Sequence, residues 1–484
     1  MNWTELKKHI QFFDIKGNAE FEVAGVESDS RRVKENFVFI AQKGLVTDGH
    51  RYIGAAVEQG ARAILCESLP EVLSPGVEFL QVKDPALAAG ILADGFYGQP
   101  SSRLKLVGVT GTNGKTTTAT LLYRLMKALG FKAGLLSTVR NYIHDRAMET
   151  SHTTPDVIRI NEMLALMVGA GCDYAFMEVS SHAMKQQRTA GLRFAGGVFT
   201  NLTHDHLDYH GTFKDYLDCK KLFFDQLPRD AFAVTNKDDR NGMVMVQNTR
   251  ARVVTYALKQ LAEVKGKIKA NTLQGLVLEV NGMEVHSRLI GAFNGYNFLA
   301  CFAAARELGF EPMEILAGMS GLPAVDGRFD TVYHAEKKVL GIVDYAHTPD
   351  ALTNVLDTIK ELKAPGSRVI TVVGCGGDRD KTKRPVMARI AMEKSDAVIF
   401  TSDNPRTEDP QQILDDMIAG LEPQQMHRMI RQSDRREAIK SAARMADRPG
   451  DIILIAGKGH ETYQEIQGKR FPFDDKNILK EVLI

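Results

Sequence analysis

The chain is 484 residues long, with 61 Lys and Arg against 60 Asp and Glu, a formal net charge of +1 and 44% hydrophobic residues. At about 100 to 200 residues per domain, this length predicts about three domains, each able to bury its own core. The balanced charge argues against a general nucleic-acid binder, which needs a basic face to neutralise phosphates.

The cysteines, Cys66, Cys172, Cys219, Cys301 and Cys375, are odd in number and scattered, with no CxxC pair. That pattern favours a reducing compartment, without a disulfide frame or a thiolate zinc site. Residues 1–17 interleave Glu5, Lys7, Lys8, His9 and Asp14 with apolar positions, so no signal-peptide core can be drawn. No apolar run approaches the ~20 residues that span a bilayer. The expectation is a soluble, cytoplasmic protein without membrane insertion, with a monomer as the default state.

Apolar runs of strand length alternate with helix-period segments, the pattern of α/β domains with mainly parallel sheets. A first domain, residues 1–100, closes on the turn-rich segment Tyr97-Gly98-Gln99-Pro100-Ser101-Ser102. A second, residues 101–330, opens with a strand over 104–109 and a helix over 116–129. Buried strands over 174–179 and 197–202 and a helix over 213–227 follow. The β-rich pieces 276–280 and 283–289, turned at Asn281-Gly282, predict a hairpin inserted on this α/β unit. A helix over 294–308, ended by Gly309, restores the earlier pattern. Beyond a boundary around 323–328, strands over 339–343, 369–373, 397–401 and 452–455 predict an open, Rossmann-like sheet for residues 331–484.

The strongest local signal is Val107-Gly108-Val109-Thr110-Gly111-Thr112-Asn113-Gly114-Lys115-Thr116-Thr117, set between a predicted strand and a predicted helix. Glycines let backbone N–H groups turn toward phosphate oxygens, the helix N-terminus adds positive potential, Lys115 reaches the β and γ phosphates, and Thr116 suits Mg²⁺. The usual GxxxxGK[ST] spacing puts its first glycine where this chain has Val109. The loop predicts nucleotide binding and leaves hydrolysis, transfer and ligation open. Gly374-Cys375-Gly376-Gly377-Asp378-Arg379 also follows a predicted strand, but lacks the GxGxxG spacing of a dinucleotide turn.

Gly111 to Thr117, Met177-Glu178-Val179-Ser180-Ser181-His182 and the run from Asn201 to Gly211, with His204, His206 and His210, resemble successive motifs of the Mur ligases. Gly291-Ala292-Phe293-Asn294, Gly327-Arg328, the run from Val343 to Asp350 and Asp403-Asn404-Pro405-Arg406 continue the match in order. The resemblance implies an N-terminal α/β domain binding uridine, a central P-loop ATPase-like domain and a C-terminal Rossmann-like domain binding the incoming amino acid. It also implies amide ligation in peptidoglycan precursor synthesis. The D-Glu γ-carboxylate of UDP-N-acetylmuramoyl-L-alanyl-D-glutamate attacks the γ-phosphate of ATP, and an amine displaces phosphate from the acyl phosphate. Bringing two anions together calls for a site rich in cations and metal.

By the same resemblance, Gly111, Thr112, Asn113, Gly114, Lys115, Thr116 and Thr117 cradle ATP, and Asn294, Asn297, Arg328, Asp344 and His347 complete its site. Lys115 neutralises phosphate, while Thr116, Glu178 and His206 ligate Mg²⁺. Lys220, beside Lys221, stands where the family carries a lysine carbamylated by CO₂ to N6-carboxylysine; Lys115, Glu178, His206 and Lys220 are the implied catalytic set. Ser30 is implied to contact uridine, and Thr153, Thr154, Ser180, Gln186 and Arg188 the muramoyl peptide. His152 stands where many relatives have asparagine. Arg379, Asp403, Asn404, Pro405, Arg406, Gly457 and Glu461 form the implied amino-acid pocket, in the version that takes meso-diaminopimelate. The guanidinium of Arg406 suits the second carboxylate of that substrate, which L-lysine lacks. Alternatives are an L-lysine-adding ligase, a folylpolyglutamate-synthetase-like ligase and a P-loop ATPase switch without ligation chemistry.

Overall fold

The computed structural model describes residues 1–44, 47–148, 153–203, 205 and 207–483, without the side chains of Leu207 and Asp208. Among these residues the strands form a five-stranded, an eleven-stranded and a six-stranded sheet in succession, and one separate two-stranded hairpin. In the first sheet Gly25–Glu27, Phe37–Ala41, Ala61–Cys66 and Glu78–Gln81 run parallel, and Asp14–Lys16 closes one edge antiparallel.

The second sheet has a parallel centre. Its spatial order is Arg252–Ala257, Phe232–Asn236, Gly196–Phe199, Lys105–Thr110, Tyr174–Glu178 and Ala133–Leu136. Leu106, Val107, Val109, Phe176, Met177, Val198 and Val234 are fully buried. Helices Lys115–Ala128 and Ala292–Glu307 cover one face and Phe213–Asp225 the other, so these strands read as continuous apolar runs. The β-rich stretch departs from an inserted hairpin. Val264–Thr272, Gly275–Val280 and Met283–Ser287 form an antiparallel meander whose first strand pairs parallel with Arg252–Ala257, so it extends the central sheet. Asn281 (φ +47°) and Gly282 (φ +85°) supply the paired positive φ of a tight hairpin turn.

The third sheet runs Asp330–His334, Val339–Asp344, Ile452–Ala456, Val369–Val373, Ala397–Phe400 and Met429–Arg431 in spatial order, antiparallel only at its first strand. Its two edges, and the hairpin Tyr463–Ile466 with Lys469–Pro472, lie outside the strands predicted from sequence because they bury too little to show an apolar run. Helix Pro349–Leu362 illustrates the local logic. Thr348 caps it through Ala351 N, Pro349 opens it, and Leu352, Val355, Leu356 and Ile359 form the buried stripe. The carboxyl ends of the central strands and of the third sheet open onto one cleft, where α/β sheets commonly bind ligands.

The third sheet is tied at its carboxyl end by an ion pair. Arg435 Nε and Nη2 each donate to the carboxylate of Asp475 at 2.8 Å, with both side chains fully buried, and Nη2 also donates to Ala456 O at 2.9 Å. Removing one member of such a pair strands the other and costs about 3–5 kcal/mol. Arg435→Ala is therefore expected to lower the urea midpoint of the transition that melts this sheet; an unchanged midpoint would show that the pair contributes little.

Candidate active site

Asn201, just past the strand Gly196–Phe199, holds the loop that follows Lys105–Thr110. Its Oδ1 accepts from Asn113 N (2.9 Å), its Nδ2 donates to Asn113 O (3.1 Å) and its carbonyl accepts from Thr112 N (2.8 Å). Gly111 has φ +147°, and a Cβ there would stand 1.9 Å from Thr200 Oγ1, so only glycine fits. Gly114 is the N-cap of Lys115–Ala128 and no side chain caps that helix, which leaves its first N–H groups to a ligand. The missing glycine at Val109 also has a reason. Val109 is still inside the strand, in register with Glu178 and Val198, and the turn begins only at Gly111.

Two ammonium groups converge on this loop. Lys115 Nζ donates to Gly111 O (2.9 Å) and Thr112 O (2.7 Å), and Lys220 Nζ donates to the same Gly111 O at 2.8 Å from above the ring of Tyr216. Burial lowers the pKa of both, and Lys115 beside it adds like-charge repulsion that helps take Lys220 well below 10.5. Lys221 instead pairs with Asp225 at 2.7 Å on the same helix, which separates the two neighbouring lysines: Lys220 lines the cleft.

Glu178 ends the strand next to the loop. Thr116 Oγ1 donates to its Oε2 (3.0 Å) and Thr138 N to its Oε1 (2.7 Å), leaving a hydroxyl and a carboxylate side by side as hard oxygen donors that suit Mg²⁺. His152, His204 and His206 lie outside the described residues. Arg328 Nη2 reaches Thr116 Oγ1 at 3.1 Å, its guanidinium lying 4.3 Å from the centre of the Tyr345 ring. Asp344 accepts from Phe329 N at 2.7 Å, and burial pushes its carboxyl up to about 6. His347 donates through Nδ1 to Tyr345 O at 2.8 Å, and burial lowers its imidazole to about 4. Both line the cleft.

Asn297 also lines the cleft, whereas Asn294 does not. Asn294 Nδ2 donates to Ile290 O (2.8 Å) and its Oδ1 accepts from Asn297 Nδ2 (2.9 Å), so it orients Asn297 from behind. The N-cap of this helix, Ala292–Glu307, is Gly291.

On the opposite wall, Thr153, Thr154, Ser180 and Arg188 line the cleft. Thr154 Oγ1 donates to Glu178 O (2.9 Å), and Ser180 caps the short helix Ser181–Lys185. Gln186 lies behind them, its Oε1 accepting from Arg188 Nε (3.0 Å) and Nη2 (2.6 Å) and so aiming the guanidinium. Ser30 is the buried first residue of the 3₁₀ turn Ser30–Arg32 and is not part of this cleft's wall.

Loops of the third sheet bring Arg379, Asp403, Asn404, Arg406, Gly457 and Glu461 to the same cleft, with Pro405 buried behind. Arg406 has φ +51°, donates through Nη1 to Gly377 O (2.7 Å), and is bracketed by main-chain bonds to the hairpin, Arg406 N to Glu465 O (3.0 Å) and Gln467 N to Arg406 O (2.6 Å). Gly457 has φ +116°, and a Cβ there would stand 2.5 Å from Asp403 Oδ2. Sequence reasoning missed Thr138, Tyr345 and Lys458; Tyr345 sits inside a recognised motif, after Asp344, and Lys458 lies between the named pocket residues Gly457 and Glu461. The whole cleft measures about 1680 Å³. A single-ligand pocket is typically ~300–1,000 Å³, so it has room for several substrates at once.

Comparison with known proteins finds the profile described as Mur ligase family, catalytic domain, over residues 22–97, the Mur ligase middle domain over 109–305, and the Mur ligase glutamate ligase domain over 327–459. The chain is 54% identical to a UDP-N-acetylmuramoyl-L-alanyl-D-glutamate--2,6-diaminopimelate ligase of Cytophaga hutchinsonii, over 100% of this chain and 99% of that protein. It is 52% identical to a ligase of the same name from Phocaeicola vulgatus, over 100% and 99%. A solved structure with that name superposes with a TM-score of 0.69 at 35% identity, covering 95% of this chain and 94% of the other.

The burial of Lys220 makes a pH prediction. Its folded pKa lies below the unfolded 10.5, so between those values the unfolded chain holds more protons on this group, and stability rises with pH through that window. In CO₂-free buffer the thermal midpoint of the wild type should gain on that of Lys220→Met as pH is raised from about 7 toward 10. Parallel pH profiles would mean that Lys220 is charged and solvated in the folded protein.

Proposed function

The chain belongs to the Mur ligase family, and on that basis we propose that it is the ATP-dependent ligase that joins meso-diaminopimelate to the D-Glu γ-carboxylate of UDP-N-acetylmuramoyl-L-alanyl-D-glutamate. The observation that carries the reading is the shared cleft, in which the phosphate loop, Glu178 and Lys220 face Arg406 and Glu461. In this assignment residues 1–100 take the uridine end through Ser30, residues 101–330 take ATP, and residues 331–484 take the amino acid.

The chemistry follows from charge. Phosphoryl transfer brings a carboxylate against a polyphosphate, and the site answers with Lys115, Arg328 and the open helix N-terminus at the phosphate end and Arg188 on the opposite wall. Arg188, aimed by Gln186, orients the peptide carboxylate so that its oxygen attacks the γ-phosphorus while ADP leaves. Thr116 and Glu178 would hold Mg²⁺, whose charge, when bound, offsets that of the phosphates. The second step forms a C–N bond as the amine nitrogen attacks the acyl carbon; the C–O bond to phosphate breaks and the nitrogen releases its proton. The Asp403 and Glu461 carboxylates suit the substrate's ammonium groups, and Arg406 its distal carboxylate. The neutral form that burial favours at Lys220 is the form that adds CO₂, since only a free amine lone pair attacks carbon. A carbamate there would place an anion beside Lys115.

Phosphate release from ATP tests this directly. With UDP-N-acetylmuramoyl-L-alanyl-D-glutamate present, meso-diaminopimelate should support turnover and L-lysine a kcat/KM at least ~100-fold lower, since lysine has no second carboxylate for the Arg406 guanidinium. Equal or reversed preference would overturn the substrate assignment, and phosphate release from ATP alone would point to an ATPase. A second measurement concerns Asp344, whose carboxylate is present above about 6 and lost below it. The KM for ATP should rise as pH falls through that value, and Asp344→Asn should flatten the dependence.

A further inference from the structure

Lys458 is the one member of the Gly457-Lys458-Gly459-His460-Glu461 loop whose charge neither the fold nor the proposed reaction has used. Its side chain is fully buried, 0% exposed, at the carboxyl end of Ile452–Ala456. Nζ donates to Asn404 Oδ1 at 2.9 Å and to Glu461 Oε2 at 2.7 Å. Asn404 Nδ2 donates to the same Glu461 Oε2 at 2.8 Å, and Asn404 Oδ1 also accepts from Glu465 N at 2.9 Å.

The pattern is directional. Both donors take Oε2, no donor among the described residues takes Oε1, and Glu461 lines the cleft, so Oε1 is left for a ligand. The ammonium also settles which way the Asn404 amide faces, because a cation needs the oxygen and the Glu461 carboxylate then receives the NH₂. Burial and the neighbouring Asp403 both raise the Glu461 carboxyl, and Lys458 opposes them. Without it the Asp403 and Glu461 carboxylates would face each other with no ammonium between them, and Asn404 Oδ1 would keep only its bond from Glu465 N.

We infer that Lys458 is a positioning residue for the incoming amino acid, holding Glu461 and Asn404 so that Glu461 Oε1 accepts a substrate ammonium. The inference rests on the amino-acid pocket proposed above, and it concerns binding of the amine substrate alone. Lys458 does not line the cleft and touches no reacting atom; it acts through Glu461.

The test is steady-state kinetics on the full chain, with each substrate varied in turn. Lys458→Met should raise the KM for meso-diaminopimelate about tenfold or more, with kcat at saturation and the KM values for ATP and the UDP-linked substrate little changed. Combined with Glu461→Gln, the effect should be far from additive, because the lysine has nothing left to hold. If Lys458→Met does not fold, Lys458→Gln, which keeps a donor toward Asn404, carries the same measurement. A uniform loss in all three substrates, an effect on kcat alone, or additivity with Glu461→Gln would overturn the inference. Should the wild type turn over L-lysine instead, the substrate assignment fails while Lys458 is judged by the KM for the amine that is used.

Discussion

Two lysine amino groups end on one backbone carbonyl, that of Gly111, and much of the structure is arranged around that crowding. Neither has a carboxylate bonded to its Nζ among the described residues, so both sit at a desolvation cost that an arriving anion offsets. Relaxing the crowding would move either the loop or a helix, and both are pinned: the loop by Asn201, the helix Phe213–Asp225 by Phe223 and Phe224 in the core. The cleft carries both signs, with Glu178, Asp344, Asp403 and Glu461 on its walls, so what is special is the local gathering of Lys115, Lys220 and Arg328 at the phosphate loop.

The third sheet meets that site from across the cleft. Asn113 Nδ2 donates to Asp350 Oδ2 at 2.8 Å, and Arg328 reaches Thr116 at 3.1 Å, so residues of the phosphate loop and its helix bond directly to residues around the start of the last sheet. An acyl phosphate is destroyed by water, and a cleft closed by loops from two sheets limits access to it. Burial raises the carboxyl pKa values of both Asp350 and Asp344 at this junction.

Legibility in the sequence followed burial. Parallel central strands such as Lys105–Thr110 and Ile452–Ala456 are buried along all or nearly all of their length and were readable as apolar runs, whereas Asp330–His334 and the hairpin Tyr463–Ile466 with Lys469–Pro472 are half-buried or exposed along nearly all of theirs and left no pattern. The site residues named from motifs mostly converge on the cleft, but motif membership did not tell wall from support. Asn294, Gln186 and Pro405 stand behind Asn297, Arg188 and Arg406, since a side chain's direction depends on helix phase and loop geometry that spacing alone does not encode.

Arg406 shows why the unread elements matter. A guanidinium confers selectivity only if its fork is fixed, since a mobile arginine retracts from an unpaired pocket into solvent. Here the side chain is anchored on Gly377 O, and the residue is held at φ +51° by main-chain bonds on both sides to the hairpin. That backbone conformation is unfavourable for a side-chain-bearing residue and persists because the hairpin over-determines it. The exposed hairpin, the least conspicuous β element in the sequence, therefore fixes the geometry of the residue proposed to discriminate between the two amine substrates.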